Sequence, residues 1–69
     1  MKKVKIGNKY FNADNIAYLE YVTNPDKSKH WVKVALTSKS VNEKGYLQND
    51  SILIEFQNEG LCNLAIENA

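Results

Sequence analysis

Cys62 and His30 are the only thiol and the only imidazole among the 69 residues of this chain. Nucleophilic catalysis by either would need a base held against the nucleophile and a third group to orient that base. Strand alternation sends Cys62 to the same side as Phe56, into the core, where a thiol behaves as a small hydrophobe. His30 stands at a strand start beside the lysine-rich stretch "NPDKSK", the setting of a solvated imidazole. Asp14, Asp26 and Asp50 fall in turn-forming segments, where an aspartate bonds nearby backbone amides, and nothing pairs them for acid/base work. The three glycines lie in three separate turns, so no loop cradles a phosphate. One Cys and one His supply neither an internal disulfide nor a zinc site. The sequence therefore predicts no enzyme, no metal and no cofactor.

What remains is contact chemistry, and that depends on which side chains the elements leave outside. In "KVKIGNKYF", Gly7-Asn8 is a two-residue hairpin turn that accepts positive φ. It pairs Ile6 with Lys9 and Val4 with Phe11, so Val4 and Phe11 share one face and Lys5 and Tyr10 the other. "NADN" at 12–15 follows as a turn, with Asn12 suited to cap a single helical turn.

The runs "IAYLEYVT" (16–23) and "HWVKVALT" (30–37) flank a loop in which Pro25 fixes φ while Asn24 and Asp26 bond back to their own backbone. Pairing across that loop puts Ala17, Leu19 and Tyr21 opposite Leu36, Val34 and Val32 on one face. The other face sets Tyr18 opposite Ala35, Glu20 opposite Lys33, and Val22 opposite Trp31. A slip of one residue would mix the two faces, so the register is well specified.

Residues 38–50, "SKSVNEKGYLQND", read as a polar connection, either a crossover or a functional arm. Ser40 and Glu43 fit a capping box ended by Gly45, and Tyr46 and Leu47 are placed to tuck the segment against the body. For the last nineteen residues two templates compete. A hairpin around Asn58-Glu59-Gly60 sets Ile52, Ile54 and Phe56 opposite Ile66, Leu64 and Cys62, a wholly apolar face. A helix over 60–68 gathers only Leu61, Leu64 and Ala65 and begins on an unfavourable glycine. The hairpin fits better.

These elements predict a single all-β domain over residues 1–69: six short antiparallel strands, from three hairpins, in a compact barrel or two-layer sandwich. The alternative is an α+β fold with a short C-terminal helix at 60–68. The core is Val4, Ile6 and Phe11 with the inward rows of the two later hairpins. Left outside are Tyr18, Val22, Trp31 and Ala35, ringed by Glu20 and Lys33. A Trp exposed on a strand calls for a reason, and the plain one is cover by the 38–50 segment. The functional one is docking, since Tyr and Trp anchors among polar residues are what interfaces use.

Charge narrows the partner. Residues 1–42 carry eight lysines against Asp14, Glu20 and Asp26, while residues 43–69 carry Lys44 against Asp50 and four glutamates. The two halves therefore attract, within one fold or between copies. All nine basic residues are lysine and the pI is about 7.8, which counts against nucleic acid, whose recognition leans on Arg. Lys3, Lys5 and Lys9 form a small basic patch that either protects a sheet edge or meets phosphates or an acidic protein.

The function expected is a small non-enzymatic interaction module that regulates or inhibits a protein partner through Tyr18, Glu20, Val22, Trp31 and Lys33, as a homodimer or in a complex. The alternative is a small β-barrel that stacks single-stranded nucleic acid on Tyr18 and Trp31, with Lys3, Lys5, Lys33 and Tyr10 nearby. No apolar run marks a signal peptide or a membrane span, so a cytoplasmic protein is expected. Arg-free, Lys- and Asn-rich usage is compatible with an AT-rich bacterial or phage genome.

Overall fold

A computed structural model describes residues 2–69. The elements run in the order β1 (Lys3–Ile6), β2 (Lys9–Asn12), a 3-10 turn (Ala13–Asn15), β3 (Ile16–Thr23), β4 (His30–Val41), β5 (Leu47–Phe56) and α1 (Glu59–Glu67). β1 and β2 form a two-stranded antiparallel sheet; β3, β4 and β5 form a three-stranded one with β4 in the middle. The chain is thus mostly β with one short helix. The sheets do not close into a barrel, and the expected sixth strand is a helix.

The early turns form as their residues dictate. Gly7 has φ +61° while Asn8 does not, the pattern of a II′ turn. A Cβ on Gly7 would come within 2.9 Å of Ile54 Cγ2, so glycine also lets the turn lie against the core. Asn12 accepts from the Asp14 amide at 3.0 Å and caps the 3-10 turn. In the β3–β4 loop, Asn24 accepts from the Lys27 amide through its carbonyl and from the Lys29 amide through its side chain.

The β3–β4 register matches the sequence reading from Tyr18↔Ala35 to Thr23↔His30. At the far end a β-bulge intervenes: Ile16, not Ala17, pairs with Leu36. Ile16 packs on the core and Ala17 is exposed, which corrects the inward place expected for Ala17.

The segment 38–50 is neither a crossover nor a helical turn. β4 continues to Val41 and β5 starts at Leu47, so the two strands extend past a bulge between Ala35 and Lys39 as a hairpin arm. Asn49 Nδ2 donates to the Leu36 carbonyl at that bulge. At the tip Gly45, at φ +85°, donates its amide to the Asn42 carbonyl, and Asn42 Oδ1 accepts from the amides of Lys44 and Tyr46. This is a three-residue hairpin loop with glycine at the left-handed position, and it takes the place of the capping box expected at Ser40. Tyr46 and Leu47 do not tuck in: they are 69% and 66% exposed.

The C-terminal segment is α1 and not a return strand. Asn58 is its N-cap, with Oδ1 accepting from the Leu61 amide at 2.8 Å, and Glu59 places a negative charge in the first turn, where the helix dipole favours it. Gly60 keeps an ordinary φ, so the left-handed turn that a hairpin would need there is not made. α1 turns Cys62, Ala65 and Ile66 inward at helical spacing and leaves Leu61 and Leu64 outside, which corrects the core position expected for Leu64.

The core lies on one side of the three-stranded sheet. Val32, Val34 and Ile54 of that sheet meet Val4 and Ile6 of β1 and Cys62 of α1, with Leu19, Tyr21, Leu36, Phe11 and Phe56 packed around them. The first hairpin and α1 together cover this side. The molecule's shortest extent is 16 Å, room for two layers spaced about 10 Å apart but not for a third.

Candidate protein-docking face

Alternation along β3, β4 and β5 sends one set of side chains into the core and the other set to the opposite side. On that opposite side the register fixes three rows. Tyr18, Ala35 and Ser51 stand side by side, then Glu20, Lys33 and Leu53, then Val22, Trp31 and Glu55. Ala35, between Tyr18 and the exposed Ser51, is fully buried although it lies outside the core cluster. Tyr18 is 46% and Leu53 53% exposed; Trp31, Val22 and Lys33 are half-buried. Lys33 Nζ lies 5.9 Å from the centroid of the Tyr18 ring, within cation–π range.

The five residues singled out in the sequence, Tyr18, Glu20, Val22, Trp31 and Lys33, are therefore neighbours on one face. Leu53 and Glu55 complete it and were missed. They belong to the mixed side of their strand, which carries no hydrophobic signature. Trp31 sits at the end of β4 remote from the 38–50 arm, so the arm does not cover it. Nor does α1, whose inward side chains meet Val32 and Val34 on the other side of the sheet.

The basic patch is not part of this face. Val4 and Ile6 point into the core, so Lys3 and Lys5 point outward from the covering hairpin, on the far side of the molecule from Trp31. Lys5 Nζ lies 5.7 Å from the Tyr10 ring centroid, while Lys9 lies opposite Ile6 at the turn. The expectation that Lys3, Lys5 and Tyr10 lie near Tyr18 and Trp31 is corrected.

The remaining chemistry-bearing residues are occupied structurally. Cys62 is fully buried, and burial, with the Glu59 charge as a lesser cause, pushes its thiol pKa up, away from a reactive thiolate. His30 is not a free solvated imidazole: it stacks on Tyr21 with centroids 6.0 Å apart, and its Nδ1 shares a 2.8 Å hydrogen bond with the Tyr21 hydroxyl. Asp50 lies in β5 and not in a turn, and accepts from the hydroxyls of Ser40 and Ser38, which hold its pKa below the usual carboxylate range. Asp26 is likewise lowered, first by the Ser28 side chain and then by the Ser28 amide, which donates to Oδ1 at 3.0 Å. Among the described residues no three His, Cys, Asp or Glu side chains gather into a metal-binding group. No helix among them is long and apolar enough to cross a membrane.

The chain matches no protein-family model, no curated protein and no solved structure.

Proposed function

We propose that this chain is a small non-enzymatic interaction module, acting in the cytoplasm, that regulates or inhibits a protein partner by docking the open face of its three-stranded sheet. The observation that carries this reading is a sheet with one covered and one uncovered side, the uncovered one bearing Trp31, Tyr18, Val22 and Leu53 among Glu20, Lys33 and Glu55. Aromatic anchors with an adjacent charged rim supply large contact area at low entropic cost, the composition of an interface centre.

Site-specific photocrosslinking tests it. A photoreactive residue at Leu53, on the open face, should form protein adducts in the native host, and one at Leu64, comparably exposed on the outer side of α1, should not. Trp31→Ala should remove the Leu53 adducts while the circular dichroism spectrum stays folded. Equal crosslinking from both positions, or adducts that survive the Trp31 change, would count against the reading.

Single-stranded nucleic acid is the second reading, supported by the cation–π pairing of Lys33 with Tyr18 beside Trp31. Glu20 and Glu55 on the same face oppose it, as does the position of Lys3 and Lys5 on the other layer. Quenching of Trp31 fluorescence by oligonucleotides, reversed by salt, would favour nucleic acid over protein.

A further inference from the structure

The open face is complementary to itself. Its middle row sets Glu20 of β3 beside Lys33 of β4; on one side of that row Tyr18 stands beside Ala35, and on the other Val22 beside Trp31. Each β3–β4 pair thus joins opposites, an anion with a cation or a large side chain with a smaller one. We propose that a second copy of this chain packs on this face, related by a two-fold axis that runs parallel to the strands between β3 and β4. That rotation lays each β3 over the other copy's β4 at the same level along the strands. Lys33 then meets the second copy's Glu20, and Glu20 its Lys33. Trp31 meets Val22, so a bulky ring opposes a smaller side chain where two sheets stack about 10 Å apart. The contact is isologous and closes at two copies, so it does not propagate into a filament.

A net charge of +1 puts little repulsion between copies.

This proposal rests on the reading of the face as a docking surface, and its test separates the two. Sedimentation velocity over a dilution series should show wild-type dimer passing to monomer, with Trp31 emission moving to longer wavelength as the indole is uncovered. Glu20→Lys and Lys33→Glu each set like charges together at both crossings, and each alone should weaken association by about tenfold or more. Mixing the two variants should restore the dimer, because one copy then brings two cations and the other two carboxylates. Mixing cannot repair the Glu20–Lys33 pair within a chain, so recovery is specific to the contact between copies. A wild type that stays monomeric at every concentration overturns the proposal, as does a mixture that stays monomeric while both variants are folded. The broader reading then stands or falls on whether Leu53 still crosslinks to another protein.

Discussion

The two sides of the three-stranded sheet are built from the same strands, and only one of them has a layer over it. On the covered side, residues of β4 and β5 reach full or nearly full burial because the first hairpin and α1 lie on them. On the open side Tyr18 of β3 and Leu53 of β5 stay about half exposed, although both are large and largely apolar. The most buried large side chains lie under the cover and the most exposed ones lie opposite it, so a stability measurement and a binding measurement should respond to opposite sides.

Ile54 and Leu53 make the sharpest test, being adjacent in β5 and pointing to opposite sides. Ile54→Ala removes a side chain 8% exposed in the core and should cost about 2–5 kcal/mol in urea denaturation. Leu53→Ala, measured where the protein is dilute, should stay within about 0.5 kcal/mol. Equal losses would mean that the open side is covered too, and the docking surface would be interior packing.

The cover itself can be loosened from its end. Asn58→Ala leaves the Leu61 amide without its side-chain acceptor and should cost about 1 kcal/mol, read from the thermal midpoint and the 222 nm circular dichroism. The open side should not notice: Trp31 emission at low temperature should match the wild type. A shift there would show that α1 and the open side are one packing unit.

That helix is also where the sequence misled. Cys62, Leu64 and Ile66 alternate as a strand would, but Cys62 and Ile66 are also four apart, so the same residues satisfy both periods. What decided between them was local: Asn58 as cap, Glu59 in the first turn, and β5 already paired through its length to the extended β4. The first hairpin and the β3–β4 register were legible because each has one strongly apolar side and a turn of defined chemistry. The arm was not, since it leaves the body and has no buried side to impress an alternation on Ser38 through Ser40. The bulge that displaces Ala17 left no trace either, because Ile16 and Ala17 are both apolar. The open-face residues on β3 and β4 were legible as the leftovers of a well-specified register, and Leu53 and Glu55 were hidden by the mistaken partner given to β5.

Cys62 reports on the cover from the inside. Its raised pKa means that the unfolded chain loses the thiol proton at lower pH than the native one does. Stability from this group is complete below the ordinary thiol range and declines as pH rises through that range toward the native value. A denaturation midpoint that falls with alkaline pH less steeply in Cys62→Ala than in wild type is the expected result. Slow labelling by a thiol reagent, at a rate set by opening, is the companion expectation.

The smallest effect belongs to the arm, where the contrast between sides reverses. Past the bulge, alternation puts Ser38, Ser40 and Asp50 on the side that is apolar in the body, and Val41 and Leu47 on the other. With no layer over it, the arm has no reason to be apolar on the core side, and its carboxylate is served by hydroxyls. Asp50 should titrate below the ordinary aspartate range in a carboxyl-carbon NMR titration, because both serines favour its ionised form. Ser40→Ala should raise that midpoint more than Ser38→Ala does, since the Ser40 bond is the larger cause. The bonds tie β4 to β5 above the unfolded pKa and weaken as pH falls through the lower native one, so acid should loosen the arm before the body. Amide exchange at Ser40 and Gln48 rising on acidification, once corrected for the intrinsic pH dependence, with Val32 and Val34 unchanged, would establish that order. Simultaneous loss in both places would show that arm and body open as one unit.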